Sequence, residues 1–395
     1  MAESPFRVGS LTTPVYLPSL FFAIGRGAVI PVIALLALDL GAGPAVAGLI
    51  VALRGLGTML FDIPAGALVA RVGERRSMLG ATGVLALVAL AISLGPSLAV
   101  YAVLIVLMGC AFSVFAIARL TFSTEASPTS HRGRVMSTVG GVSRVGLFIG
   151  PLIGGLVVAR FGLTGPFFVQ AVLSLAALIA LASIGSAHHE SQQNDREHPS
   201  IANVLREHRR ALATAGFVVI ALQVLRSSRE ALLPLWGDQI GVSASQISLI
   251  FAASAGIEVL MFYPAGGVMD RKGRKWTAIP CLVIFSIGIA LVPFTSTMVG
   301  LTVVALLLGF ANGLGSGLNM TLGSDLSPQA GRSKFLGLWR TIGDVGTTGG
   351  PVVVAVVASV ATLGVAAAVV GGIGLLGALV LSRAVPETLR ERAPP

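Results

Sequence analysis

Charge is what this 395-residue chain has least of: 11% of its residues are Asp, Glu, Lys or Arg, where a soluble domain carries about 25%. Too little polar surface is left to keep such a chain dissolved, so most of its outer face must meet lipid. That excludes a soluble enzyme, a disordered chain and a nucleic-acid binder, despite a net charge of +10. Cysteine is nearly absent. Cys110 and Cys281 both lie inside apolar runs, which excludes a disulfide framework and a thiolate metal cage. The opening stretch, MAESPFRVGSLTTPVYLPSLFF, has no basic n-region and no small-residue cleavage site, so it reads as a first span and not a removed signal. A nucleophile elbow, a phosphate loop, zinc-ligand spacing and paired catalytic carboxylates are also missing. No enzymatic activity, cofactor or metal is therefore indicated, and ATP hydrolysis is excluded as an energy source.

What the chain has in abundance is apolar length. Hydrophobic residues make up 54% of it, with 49 glycines among the rest. A spanning helix needs about 20 apolar residues. Segments of that kind fall at 14–37, 44–69, 77–96, 98–121, 136–159 and 164–185, and again at 212–236, 244–269, 276–296, 298–323, 335–358 and 361–382. Twelve spans place both termini on one side. Of the 27 Lys and Arg residues, Arg160 alone then falls on a connection at the opposite side, and seven fall within spans. The positive-inside bias makes the terminal side cytoplasmic. It also accounts for the basicity without an anionic partner.

The chain repeats itself at an offset of 200 residues. Pro64-Ala65-Gly66 aligns with Pro264-Ala265-Gly266, Arg26 with Arg226, Arg71 and Gly73 with Arg271 and Gly273, and Arg132 with Arg332. Gly109 aligns with Gly309, and Gly146, Gly150 and Pro151 with Gly346, Gly350 and Pro351. One unbroken register implies two six-helix halves in parallel orientation, residues 1–185 and 212–395. Residues 186–211, polar and mixed in charge, read as a solvated cytoplasmic linker. Halves of this kind rock about a midplane site, which is alternating access. The fold class is an all-α membrane protein: twelve transmembrane helices in two pseudo-symmetric bundles.

Two motifs carry a resemblance. After the second span of each half comes a Gly-x-[Leu/Val]-x-x-Arg-x-Gly-x-basic pattern. It reads Gly266, Val268, Asp270, Arg271, Gly273, Arg274, Lys275 in the second half and Gly66, Leu68, Ala70, Arg71, Gly73, Glu74, Arg75 in the first. This resembles the loop signature of the major facilitator superfamily, with Ala70 where the family has an acidic residue. The fifth span holds Gly146-x-x-x-Gly150-Pro151-x-x-Gly154-Gly155, similar to the glycine–proline signature of that superfamily's twelve-span drug/proton antiporter exporters. Small residues four apart let helix backbones approach closely, and the proline bends the helix; a tight contact between the halves is expected here. Ile24-Gly25-x5-Pro31-Val32 is similar to a first-helix pattern of the same exporters, with Ala34 in place of its last proline. The exporters' fourth-helix arginine position holds Ile105.

Ionisable residues inside the spans cost about 2.5–3.5 kcal/mol each on insertion scales, so they are kept for function or paired. The spans hold Arg26, Arg54, Arg119, Arg144, Arg226, Arg229 and Arg340, with Asp62, Glu230, Glu258 and Asp344. Arg26 and Arg226 are symmetry mates on the first and seventh helices, which line the cavity in the family's fold. They resemble the arginine pair of the superfamily's organophosphate exchangers, so they are candidates to hold an anionic substrate group, with Glu230 at i+4 as the alternative partner of Arg226. Glu230, Asp62 and Glu258 are the candidate proton carriers. The family's packing implies gating ion pairs between the halves, Asp62 with Arg340 and Arg144 with Glu258, and Asp344 as a possible third member of the first pair. Arg119 is expected either to snorkel or to bind Asp62, and Glu125 and Asp325 to clamp the basic loops.

The resemblance implies a secondary active transporter in the cytoplasmic (inner) membrane, a monomer whose partners are lipid, a small organic substrate and protons. A proton-coupled multidrug exporter is the leading expectation. An organic-anion exchanger or importer using Arg26 and Arg226, and a transporter-shaped receptor or scaffold, are the alternatives.

Overall fold

The computed structural model describes residues 8–128, 131–183, 205–328 and 332–389. Most of the linker, residues 186–204, and the last residues of the tail lie outside that range. Among the described residues, twelve helices are long and apolar enough to cross a membrane. In lipid each backbone polar group must be bonded internally, which a helix does within its own segment. They are α1 (Thr12–Asp39), α2 (Pro44–Val72), α3 (Glu74–Ser93), α4 (Leu98–Glu125), α5 (Arg132–Phe161) and α6 (Gly165–Ala182). After the linker come α7 (Arg209–Gln239), α8 (Ala244–Lys272), α9 (Lys275–Phe294), α10 (Met298–Leu326), α11 (Phe335–Val360) and α12 (Leu363–Ala384).

The chain divides into two compact units, Met1–Ala42 with Leu53–Gln193 and Ser243–Ala252, and Gly43–Ala52 with Asn194–Val242 and Ala253–Pro395. The internal packing of the two is the same. In the first, α1 packs on α5 and α6, and α3 on α4 and α6; in the second, α7 packs on α11 and α12, and α9 on α10 and α12. The repeat read from the sequence is thus a repeat of helix contacts.

Missing side chains set the closest of these contacts. A Cβ on Gly146 would meet Ala23, one on Gly150 would meet Ile24 and Gly27, and one on Gly154 would meet Ala28. The mates Gly346 and Gly350 press in the same way on Ile220, and on Val224 and Ser227. This corrects, for three of its glycines, the expectation that the glycine–proline motif is a contact between halves: Gly146, Gly150 and Gly154 seat α5 on α1 of their own half, and Gly155 alone of the four meets α8. Gly155 faces elsewhere, toward Ser245 and Ser248, and its carbonyl accepts from Ser245 Oγ at 2.8 Å.

Among the described residues, two of the spanning helices are interrupted. A 3-10 turn at Ile30–Val32, containing Pro31, breaks α1. In α10 the helix stops at Leu314 and restarts at Leu318, across Gly315-Ser316-Gly317, with Gly317 at φ +81°. The second break shapes the site.

Candidate functional site

In the second unit the α10 break exposes a carbonyl to an arginine. Gly315 O, which already takes an i+3 bond from Leu318 N, accepts from Arg226 Nη2 at 2.9 Å. A helix C-terminus carries partial negative charge and favours a cation. Gly315 has no Cβ to obstruct the approach; one placed there would lie 3.2 Å from Nη2. Arg226 Nε donates to Asn312 Oδ1 at 2.7 Å, and Nη1 to Gln223 Oε1 at 3.2 Å. Asn312 in turn donates from Nδ2 to Glu258 Oε2 at 2.5 Å, and Gln223 donates to Thr347 Oγ1 at 3.0 Å. A cation on α7 is thereby linked to a carboxylate on α8 through one amide of α10.

Arg226 thus reaches the carboxylate of Glu258 through Asn312. Arg340 stands 3.9 Å from Asp344, on its own helix one turn away. Arg229 Nη1 lies 3.5 Å from Ser254 Oγ.

The first unit surrounds its arginine differently. The mates of Asn312, Gly315 and Glu258 are Phe112, Phe115 and Thr58. Phe22 stacks on Phe115 with ring centroids 4.2 Å apart and meets Phe112 edge-on at 4.9 Å. Asp62 accepts from Ser113 Oγ. Arg119 holds its guanidinium 5.8 Å from the Phe115 ring centroid, with Nη1 3.4 Å from Ser143 Oγ. No carboxylate pairs with Arg119 among the described residues, which corrects its expected pairing with Asp62.

At the loop motifs the two halves again share a frame. Gly73 and Gly273 turn the chain at φ +88° and +112°, where a side chain would be strained. Arg75 donates to the carbonyls of Leu181 and Ala182 at the end of α6. Its mate Lys275 donates to Ser382 O, the mate of Ala182, at the end of α12. Arg71 and Arg271 are exposed, and a Cβ on Gly66 or Gly266 would meet nothing. The charge pairs are not shared. Arg274 Nε bonds Asp325 Oδ2 at 2.8 Å and stands 3.8 Å from Asp270; position 74 is Glu and position 70 Ala.

Glu387, which sequence reasoning passed over, completes the second loop. Its carboxylate accepts from the backbone N–H of Arg274 at 2.9 Å and Lys275 at 3.0 Å, capping the start of α9 where the helix dipole favours an anion. Partial burial pulls its pKa up, but the backbone donors of Lys275, Arg274, Leu389 and Thr388 outweigh that and hold the carboxyl below its ordinary value. The signal was Pro386-Glu387-Thr388 directly after the last span. Asn312, Gln223 and Ser143 were also missed, because a search for ionisable groups does not find amides and hydroxyls.

Twelve apolar helices in duplicate, with bonded polar groups inside the spans, define a multi-pass membrane transporter. The family model of the Major Facilitator Superfamily matches residues 15–236 and 227–395, so the chain belongs to that family and is a transporter, not an enzyme. Its sequence is 26% identical over 255 residues to the Multidrug resistance protein MdtG of Salmonella arizonae, over 63% of this chain and 62% of that protein. The match therefore spans less than two thirds of that relative's length. Its fold is that of the solved nucleoside transporter NupG, at TM-score 0.78 and 13% identity, over 96% of this chain and 100% of that one. A D-xylose-proton symporter matches at TM-score 0.73 and 16% identity, over 96% and 98% of the two chains.

Proposed function

We propose that this protein is a proton-coupled exporter of small amphipathic organic molecules, working by alternating access of its two halves in the cytoplasmic membrane. The observation that carries the reading is the bonded line Arg226–Asn312–Glu258. A carboxylate inside a span is costly to keep charged, and a nearby cation offsets that cost. Proton arrival at Glu258 weakens its charge-assisted bond from Asn312. Asn312 is then free to turn, and Arg226 loses the carboxylate that the amide relayed to it. Proton binding thus changes the connection between α7, α8 and α10, which is what coupling a proton to helix movement requires.

Glu230, one turn from Arg226 on α7, and Asp62, with its Ser113 donor, are the further proton carriers in this proposal. The gate expected from Asp62, Arg340, Arg144, Glu258 and Asp344 belongs to it as well. The 26% identity to a multidrug resistance protein and the glycine–proline motif of α5 support export. The Lys/Arg bias supports cytoplasmic termini. The test is counterflow and pH-gradient-driven flux in proteoliposomes, with a panel of cationic, neutral and anionic compounds. The proposal expects an imposed proton gradient to drive flux, and Glu258→Gln to abolish that drive. Robust solute-for-solute exchange that ignores the gradient would defeat proton coupling.

A further inference from the structure

At the end of the second unit where α7 and α9 begin and α10 and α12 finish, the helix ends enclose a cavity of about 660 Å³. Its wall carries Arg210 from the first turn of α7, Lys275 from the start of α9 and Arg383 from the last turn of α12. Glu207 is the acidic residue of the lining, so three cations stand against one carboxylate. Glu387, beside the lining residue Pro386, is already taken by the backbone N–H groups of Arg274 and Lys275.

The frame shared by the two halves accounts for one of these cations. Lys275 Nζ donates to Ser382 O at 3.2 Å, as Arg75 donates to Ala182 O in the first half. An ammonium has three donors, so that bond leaves donors to spare. The mates of Arg210 and Arg383 are Ser10 and Ser183; the frame therefore requires no charge at either position. Both arginines are exposed, and among the described residues neither stands within ion-pair distance of a carboxylate. Like charges lining one cavity repel, and an anion between them reverses the sign of that energy.

The position of the cavity says which anion. Arg383 continues the outward face of α12 on which Leu376 and Leu379 are exposed, with Leu379 one turn further into the span. Trp276, next to Lys275, is exposed as well, and tryptophan is enriched where lipid meets water. The cations thus stand at headgroup level with an apolar helix face directly beyond them. Basic pockets between spanning helices at this level suit anionic lipid headgroups. We infer that this cavity is a binding site for an anionic phospholipid, with Arg210, Lys275 and Arg383 on its phosphate and the acyl chains along the outward face of α12. The inference is independent of the transport reading, because it concerns binding and not flux.

The test uses the full chain purified in detergent, with short-chain phosphatidylglycerol as the probe. Short-chain phosphatidylcholine is its zwitterionic counterpart, and glycerophosphoglycerol is the headgroup without chains. Phosphatidylglycerol is expected to raise the Tm, and the other two to leave it unchanged. Arg210→Gln and Arg383→Gln are each expected to weaken phosphatidylglycerol binding about fivefold, and the double variant about twentyfold, the order that one basic residue contributes at an anionic lipid surface. Arg210→Lys with Arg383→Lys keeps the charge and should hold binding within about twofold of wild type. Arg209→Gln, exposed at the same end of α7 but outside the lining, is the unaffected control. The Tm of each variant without lipid reports that it is folded. Undiminished binding in the double Gln variant, an equal loss in Arg209→Gln, or equal stabilisation by phosphatidylcholine overturns the inference. Stabilisation by glycerophosphoglycerol as large as by the lipid overturns it too, since the ligand would then be a soluble phosphate compound.

Discussion

The two halves of this protein are built on one frame and charged differently. Gly150 on Ile24 and Gly350 on Val224, and Arg75 on Ala182 and Lys275 on Ser382, are the same contacts made twice. Backbone approach and loop turning tolerate few residue types, so both copies keep them. The polar interior has diverged. Arg226 sits in a cradle of amide and carbonyl groups linked to Glu258, while the mates of Asn312 and Gly315 are Phe112 and Phe115. Duplication fixed the scaffold, and each copy then acquired its own electrostatics: a bonded charge relay in the second half, an excess of cations in the first.

The comparison breaks most sharply at Glu258. A hydrogen bond to a charged group is worth about 1.5–3 kcal/mol. Glu258→Gln is therefore expected to lower proton-driven flux by one to two orders of magnitude, while the mate substitution Thr58→Val in the first half lowers it less than tenfold. Proteoliposome flux under an imposed pH gradient measures both; equal losses would mean that the halves are not specialised.

The shared frame predicts the next largest effect. Gly150→Val and Gly350→Val each force a side chain into helix backbone, with an overpacking cost of about 1–3 kcal/mol. Both are expected to lower the Tm by several degrees and by similar amounts, followed by fluorescence-detected unfolding in detergent. A large difference between them would show that the glycine contacts have also diverged.

The loop charges predict a smaller effect. Asp325→Asn removes the carboxylate bonded to Arg274 and Thr388 and should speed proteolysis of the connection after α8. Ala70→Asp with Glu74→Arg rebuilds the missing pair in the first half and should slow proteolysis after α2.

Glu387→Gln gives the smallest effect, a Tm decrease on the order of 1 °C at neutral pH. The folded-state pKa of Glu387 lies below its ordinary value, so its contribution is present above the ordinary carboxylate range and is lost as pH falls through the folded value. Wild type and variant should converge in acid; a difference that persists there would assign the effect to shape and not to charge.

The twelve spans were legible because hydrophobic length is a local property. The sequence bounds 298–323 meet a helix of Met298–Leu326, and the bounds 44–69 one of Pro44–Val72. The break inside α10 was not legible. Gly313, Gly315 and Gly317 stand within one candidate span, and glycine is so common in these helices that three more raise no signal. With the break hidden, Gly315 O could not be foreseen as an acceptor for Arg226. Asn312, a neutral residue that Glu258 meets, was likewise not legible to a reading by charge alone.

From the sequence by itself come the number of spans, the duplication, the turning glycines at 73 and 273, and the identity of every embedded charge. These follow from composition and spacing along one dimension. The tertiary structure alone decided that Asn312 stands between Arg226 and Glu258, that Glu387 returns to cap α9, and that Arg119 lies back over Phe115. The physical reason is that a polar group inside a span bonds whatever neighbouring helices turn toward it, and that depends on helix rotation and on one interrupted helix, neither of which is written in the periodicity of any single segment.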